Sequence, residues 1–194
     1  MIETKIILSS AGSLSVAVIA FFFFIFQAWI YLKGPAFEWS RRGATLSLAT
    51  TIFAAAVFVQ FNAPPGRINY LAELVQYSSL IILLHSIYGF TFAYLDIKPP
   101  RFYRLVPGFH AGLLIVLWTT GLVIADGYVH RDFILLADPY IEPKLGVLGP
   151  FLLIYLAAGA FLSLTYWVRS ENRKKKRRPD IHFRIFIVGG LGYP

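Results

Sequence analysis

The sequence contains no cysteine, and only 14% of its residues are charged. The missing thiols exclude disulfides, thiolate metal sites and cysteine nucleophiles. A soluble domain carries about 25% charged residues, so the low charge content indicates an integral membrane protein. The G-x-S-x-G, H-E-x-x-H and phosphate-cradling motifs of soluble enzymes are also missing, and we predict no catalytic residue.

What the sequence does contain is mainly apolar: 57% of the 194 residues are hydrophobic. Five apolar runs meet the length of about 17 to 25 residues needed to cross a bilayer. Because backbone polar groups in lipid must pair within their own segment, we interpret these runs as helices. The predicted spans are 6–32, 44–61, 71–95, 105–125 and 145–168. The predicted fold class is therefore all-α, a single polytopic membrane helix bundle over residues 1–194.

A sixth apolar run occupies residues 181–194 and is incomplete as a span. The residues after Arg184 would cover only about 15 Å as a helix, against a bilayer core of about 30 Å. A helix that ended inside hydrocarbon would leave carbonyl groups unpaired. We therefore expect this polypeptide to be the N-terminal part of a longer chain. The alternative is a half-inserted terminal segment covered by a protein partner.

The basic residues predict an orientation. Of the 18 Lys and Arg residues, 14 lie in the connections after the first, third and fifth runs. The positive-inside rule places these connections in the cytoplasm and the N-terminus outside the cell membrane. The densest cluster anchors this topology and is also a candidate site for anionic lipid headgroups. Its residues are Lys174, Lys175, Lys176, Arg177 and Arg178. No aromatic platform accompanies them, so we predict no nucleic-acid partner.

Two histidines within the predicted spans are candidates for cofactor binding. His85 lies in span three, and His110 lies near the cytoplasmic start of span four. If the two helices are antiparallel neighbours, these side chains lie within about one or two turns of each other in depth. Such a pair could supply the axial imidazoles of a haem. The alternative is two histidines that hydrogen-bond inside the bundle, and we predict no cofactor.

Polar residues near the outer ends of spans three and four are candidates for a ligand site. Glu73 and Gln76 lie one helical turn apart, and a carboxylate near the apolar region suggests a function. Trp118, Asp126 and His130 could line the same outward-facing pocket. Asp126, His130 and Asp132 could also hold a divalent metal, but such a loop is more often solvated, and we predict no metal site.

Four stretches give the chain its resemblance to a known family. They are TTGLVIADGY at the end of span four, KLGVLGPFLLIYL at the start of span five, the basic loop LTYWVRSENRKKKRRPDIHFR, and the glycine-rich IFIVGGLGYP. The layout resembles the N-terminal seven-transmembrane sensor region of bacterial histidine kinases and diguanylate cyclases. In that family an N-outside module passes its state through its last helix to a cytoplasmic output domain.

The resemblance implies a sensor or input module, covering about five and a half spans, that acts as a homodimer in the bacterial inner membrane. It implies that a kinase or cyclase domain would lie beyond Pro194, since no histidine here begins an H-E phosphoacceptor motif. Two alternatives from other classes remain open. One is a haem-binding redox protein that uses His85 and His110, and the other is a small transporter or a structural subunit of a membrane complex.

Overall fold

A computed structural model of the chain describes residues 8–34, 38–131 and 140–175. In these residues the chain forms five α-helices, one short 3-10 helix over Arg101–Arg104, and two β-strands. The helices are α1 (Leu8–Lys33), α2 (Glu38–Asn62), α3 (Arg67–Leu95), α4 (Val106–Thr119) and α5 (Gly149–Lys175). The strands are β1 (Ile124–Arg131) and β2 (Tyr140–Leu145).

Four of these helices, α1, α2, α3 and α5, are long and apolar enough to cross a membrane. They overlap the predicted spans 6–32, 44–61, 71–95 and 145–168, so the prediction of a mainly helical chain with helices that could cross a membrane is confirmed. The incomplete sixth span, 181–194, lies outside the described residues.

Both α2 and α3 begin a few residues before their apolar runs, and polar residues mark the start of α2 and the end of α3. α2 begins at Glu38, whose carboxylate accepts hydrogen bonds from Arg41 and Arg42. A carboxylate in the first turn also interacts favourably with the helix dipole. α3 ends where Asp96 adopts a left-handed conformation, with φ of 52°, and two prolines follow shortly after.

The contacts between helices show an up-and-down arrangement. Ser40 of α2 donates a hydrogen bond to the backbone oxygen of Gln27 in α1, so these helices meet near the turn that joins them. α3 packs against α2, α4 and α5 and is the central helix of the described bundle. α2 and α4 both run antiparallel to α3, whereas α5 runs parallel to it.

This arrangement gives the bundle two ends, which we name by their contents. The hairpin end holds the end of α2, the start of α3, the end of α4 and the two strands. The basic end holds the turn from α1 to α2, the end of α3 and the 3-10 helix.

The predicted fourth span, 105–125, is shorter in the structure than the sequence suggested. α4 stops at Thr119, because Thr120 is extended and its hydroxyl bonds to the oxygen of Val116. The 14 residues of α4 cover about 21 Å, which is less than a bilayer core. The chain then continues as β1, so the prediction of helix up to residue 125 is wrong.

The two strands form an antiparallel hairpin between α4 and α5. The pairing is irregular between Ala125 and Tyr128, where Gly127 has φ of 104°. Because Leu145 is the last residue of β2, α5 begins four residues later than predicted, at Gly149. The backbone N–H of Leu148 donates to the oxygen of Leu122, which fastens the start of α5 to the base of the hairpin.

The hydrophobic core lies where the base of the hairpin meets α3, α4 and α5. Its buried members are Leu74, Tyr77, Ile81, Leu117, Val123, Ile124 and Leu152. By contrast, α1 exposes many large apolar side chains, among them Phe22 and Trp29, which are 66% and 56% exposed. An apolar surface of this extent marks contact with a membrane or a partner.

Candidate functional site

A polar cluster lies between α2 and α3 at the hairpin end. We call it the carboxylate cluster, and it consists of Gln60, Asn69 and Glu73, all of them buried. The side-chain amide of Gln60 donates a hydrogen bond to the Glu73 carboxylate. The Asn69 amide donates to the backbone oxygen of Gln60 at 3.0 Å. A carboxylate taken out of water in this way depends on such donors.

Two acceptor oxygens, one within this cluster and one beside it, have no hydrogen-bond partner among the described residues. They are Oδ1 of Asn69 and Oε1 of Gln76, both shielded from solvent. Asn69, Glu73 and Gln76 lie on one face of α3, at intervals of four and three residues. The face therefore combines a carboxylate with two amide oxygens, which is an acceptor-rich surface suited to a hydrogen-bond donor or a cation.

Trp118 lies on a different face of the bundle. Its indole nitrogen donates to the hydroxyl of Ser78 at 2.8 Å, and about half of the side chain is exposed. Ser78 is five residues after Glu73, which corresponds to about 140° around the helix. Of the predicted ligand site, Glu73 and Gln76 thus share a face, whereas Trp118 contacts α3 elsewhere.

The remaining predicted site residues are placed only in part. Asp126 and His130 lie on β1, where His130 pairs with Ile141 of β2. Lys174 and Lys175 are the last residues of α5. Lys176, Arg177 and Arg178 lie outside the described residues, so lipid-headgroup binding by the basic segment stays a prediction.

A second polar cluster lies between α3, α4 and α5, and we call it the histidine–tyrosine cluster. The rings of His85 and His110 meet edge to face with centroids 5.5 Å apart. Nε2 of His110 hydrogen-bonds to the hydroxyl of Tyr155 at 2.7 Å. His85 stacks on Tyr103, with ring centroids 5.9 Å apart. The two histidines therefore lie at a similar depth in the bundle, as the sequence predicted.

This geometry does not favour the haem alternative. An iron ligated by both imidazoles would have to lie between two rings that contact each other directly. Nε2 of His110 is also already engaged by Tyr155. What the arrangement provides instead is one hydrogen bond, between His110 and Tyr155, within a group of rings in contact.

The basic end carries a pocket of about 330 Å³ that includes Arg42, Lys98 and Tyr103 in its lining. Burial raises the pKa of the Tyr103 phenol, and the positive charge of Arg42 offsets part of that rise. The hydroxyl therefore keeps its proton at neutral pH and can act as a donor.

Sequence reasoning missed Gln60, Asn69, Tyr103 and Tyr155. Gln60 carried a usable signal, because it is a lone amide near the end of an apolar run. Gln60 and Glu73 are also at similar distances from the turn between the two predicted spans. Tyr103 and Tyr155 carried no such signal, since tyrosines are abundant in this chain, with 11 in all.

No family model, curated protein or solved structure matches the chain.

Proposed function

We propose that the chain is the membrane sensor or input module of a bacterial signal-transduction protein. In this proposal the N-terminus is outside the inner membrane, and a cytoplasmic output domain reads the packing of the helices. The distribution of Lys and Arg supports the orientation. The four stretches that resemble membrane histidine kinases and diguanylate cyclases support the class of protein.

The observation that carries the proposal is the position of α3 between two interhelical polar contacts. One contact is Gln60 of α2 to Glu73 near the hairpin end, and the other is Trp167 of α5 to Thr91 near the basic end. Side-chain hydrogen bonds between membrane helices contribute only about 0.6 kcal/mol on average. Contacts this weak can be exchanged for others, which is what a bundle with two packing states requires.

The mechanism is a shift of population between two packings. A stimulus that competes with Gln60 for the Glu73 carboxylate would change how α2 lies against α3. Because α3 also packs on α4 and α5, the change would reach the basic end. A stimulus acts in this way only if it interacts differently with the two states.

The test is to substitute a residue at the hairpin end and to measure the distance between two spin labels at the basic end. Residues 1–194 contain no cysteine, so Phe102→Cys and Val168→Cys can carry spin labels once any cysteine elsewhere in the full-length protein is replaced by serine. Both positions are exposed at the basic end. In the full-length protein in nanodiscs, Glu73→Gln should shift the label distance by about 1–2 Å or add a second population.

Thr119→Val is the matched control. It removes a hydroxyl at the same end of the bundle, where that hydroxyl bonds only to the oxygen of Ile115 in its own helix. It should leave the distances unchanged. If Glu73→Gln also leaves them unchanged while lowering stability, the carboxylate cluster is structural and the sensor proposal loses its mechanism.

A further inference from the structure

The pocket at the basic end has no part in the proposed function and lies between the end of α3, the start of α2 and the 3-10 helix. Its wall contains the apolar side chains of Phe92, Ala93 and Ile97 and the ring of Pro99. Its volume of about 330 Å³ falls within the range of small-ligand pockets, roughly 300 to 1,000 Å³.

Two hydrogen-bond donors converge in this pocket at Gly89. A Cβ atom added to Gly89 would lie 3.5 Å from Nη1 of Arg42 and 3.5 Å from the hydroxyl of Tyr103. The missing side chain thus allows both groups to approach the backbone of α3. A guanidinium and a phenol in such proximity form a donor pair for an anion.

Tyr103 is held in a fixed position by neighbouring rings. It stacks on His85, and Phe92 and Tyr88 meet it edge-on with centroids 5.1 and 6.2 Å away. Its hydroxyl is shielded from solvent and has no hydrogen-bond partner among the described residues. A buried hydroxyl without a partner is costly, so an acceptor supplied from outside the chain would stabilise it.

The charges around the pocket leave Arg42 able to accept an anion. Glu38 accepts hydrogen bonds from Arg41 and from Nε of Arg42, at 2.5 and 3.0 Å. The Glu38 carboxylate is therefore shared by two guanidinium groups. Within the lining, Lys98 is the second cation beside Arg42, and Asp96 is the second carboxylate beside Glu38.

From these observations we propose that this pocket binds a phosphate ester group through Arg42, Tyr103 and Lys98, with its carbon substituent against the apolar wall. Arg matches phosphate oxygens with two parallel donors, and Tyr103 provides a further donor. The pocket lies at the ends of two apolar helices, α2 and α3, so the phosphate belongs to a lipid headgroup or to a small soluble ester. The inference does not depend on the sensor proposal.

The experiment measures equilibrium binding to the full-length protein in non-ionic detergent. The probes are short-chain phosphatidylglycerol and inorganic phosphate, each titrated calorimetrically. Tyr103→Phe removes one hydroxyl and keeps the ring stack, so it should weaken phosphatidylglycerol binding about tenfold. Arg42→Gln should weaken binding by more than tenfold, and Gly89→Ala should also weaken it by filling the space between the donors.

Tyr88→Phe is the matched control, because Tyr88 contacts Tyr103 without lining the pocket. It should change the affinity less than twofold. Binding of phosphatidylglycerol that inorganic phosphate does not displace identifies a lipid headgroup, and displacement identifies a free phosphate site. Absence of saturable binding of either probe, or equal effects of Tyr103→Phe and Tyr88→Phe in folded protein, overturns the proposal.

Discussion

Gly159 of α5 lies against Leu84 and Tyr88 of α3. A Cβ atom there would be 2.7 Å from both terminal carbons of Leu84 and 2.9 Å from the hydroxyl of Tyr88. Small residues allow this approach between membrane helices. Because these atoms are the ends of side chains that can shift, we expect Gly159→Ala to lower the free energy of unfolding by only about 1 kcal/mol relative to a helical Gly→Ala substitution in open space.

The measurement is denaturant unfolding of the protein in mixed micelles, with Gly112→Ala as the control. Gly112 is also helical, but no atom lies within 4 Å of its added Cβ. That substitution should be neutral or slightly stabilising, because alanine favours a helix over glycine. Equal effects of the two substitutions would show that α5 does not pack closely on α3.

The hydrogen bond between His110 and Tyr155 makes a second prediction for single residues. A Tyr155→Phe variant removes the hydroxyl that bonds to Nε2 of His110. Because His110 is buried, water does not readily replace that partner. A double-mutant cycle of His110→Phe and Tyr155→Phe should give a coupling free energy of about 0.5–1.5 kcal/mol. A coupling near zero would mean that the two side chains do not interact in the membrane.

At the scale of elements, length and hydropathy were enough to predict the four long helices, because each has to supply one uninterrupted apolar run. The same criterion failed at residues 120–125. Apolar residues such as Val123 and Ile124 continue the run in sequence, yet they form the base of the β-hairpin and are buried against α3, α4 and α5. Hydropathy reports burial in lipid and burial in protein alike, so it could not separate the end of α4 from the start of β1.

The residues of the candidate site also divide into those that the sequence revealed and those that only the tertiary structure reveals. Glu73 was identifiable because a carboxylate in an apolar run is costly without partners. Its partner Gln60 depends on which face of α2 meets α3, and neither helix has an amphipathic pattern that reveals this face. Tyr103 became relevant only through the approach of Arg42 to Gly89, which is a tertiary contact.

The hairpin itself depends on a tight junction at Gly146. A Cβ atom there would lie 2.6 Å from the backbone oxygen of Gly121 and closer still to that of Leu122. Backbone atoms cannot rotate away, so Gly146→Ala should detach the base of the hairpin from the start of α5. We expect a loss of about 1–3 kcal/mol in the free energy of unfolding.

Hydrogen exchange of the Gly146 and Leu148 amides would locate the effect, because both donate to the loop before β1. The control is Gly121→Ala, whose Cβ would meet only the Ile124 oxygen at an ordinary 3.8 Å. Fast exchange in the Gly146→Ala variant alone is expected. Unchanged protection in that variant would mean that the junction is loose in solution.

At the scale of the whole molecule, the question is which end of the bundle faces the cytoplasm. The connections at the basic end and after α5 contain most of the Lys and Arg residues, and cytoplasmic loops carry such an excess. Val147, at the hairpin end, and Phe102, at the basic end, are 76% and 64% exposed. Since the chain has no native cysteine, each can be replaced singly by cysteine as a reporter of sidedness.

In intact bacterial cells whose outer membrane has been made permeable, a maleimide that cannot cross the inner membrane should label Val147→Cys and leave Phe102→Cys unlabelled. Lysed cells provide the control, because there both cysteines should react to the same extent. The reversed pattern would place the hairpin end in the cytoplasm. The path from an outer stimulus to an inner output would then run from the basic end towards Glu73 rather than from Glu73 towards the basic end.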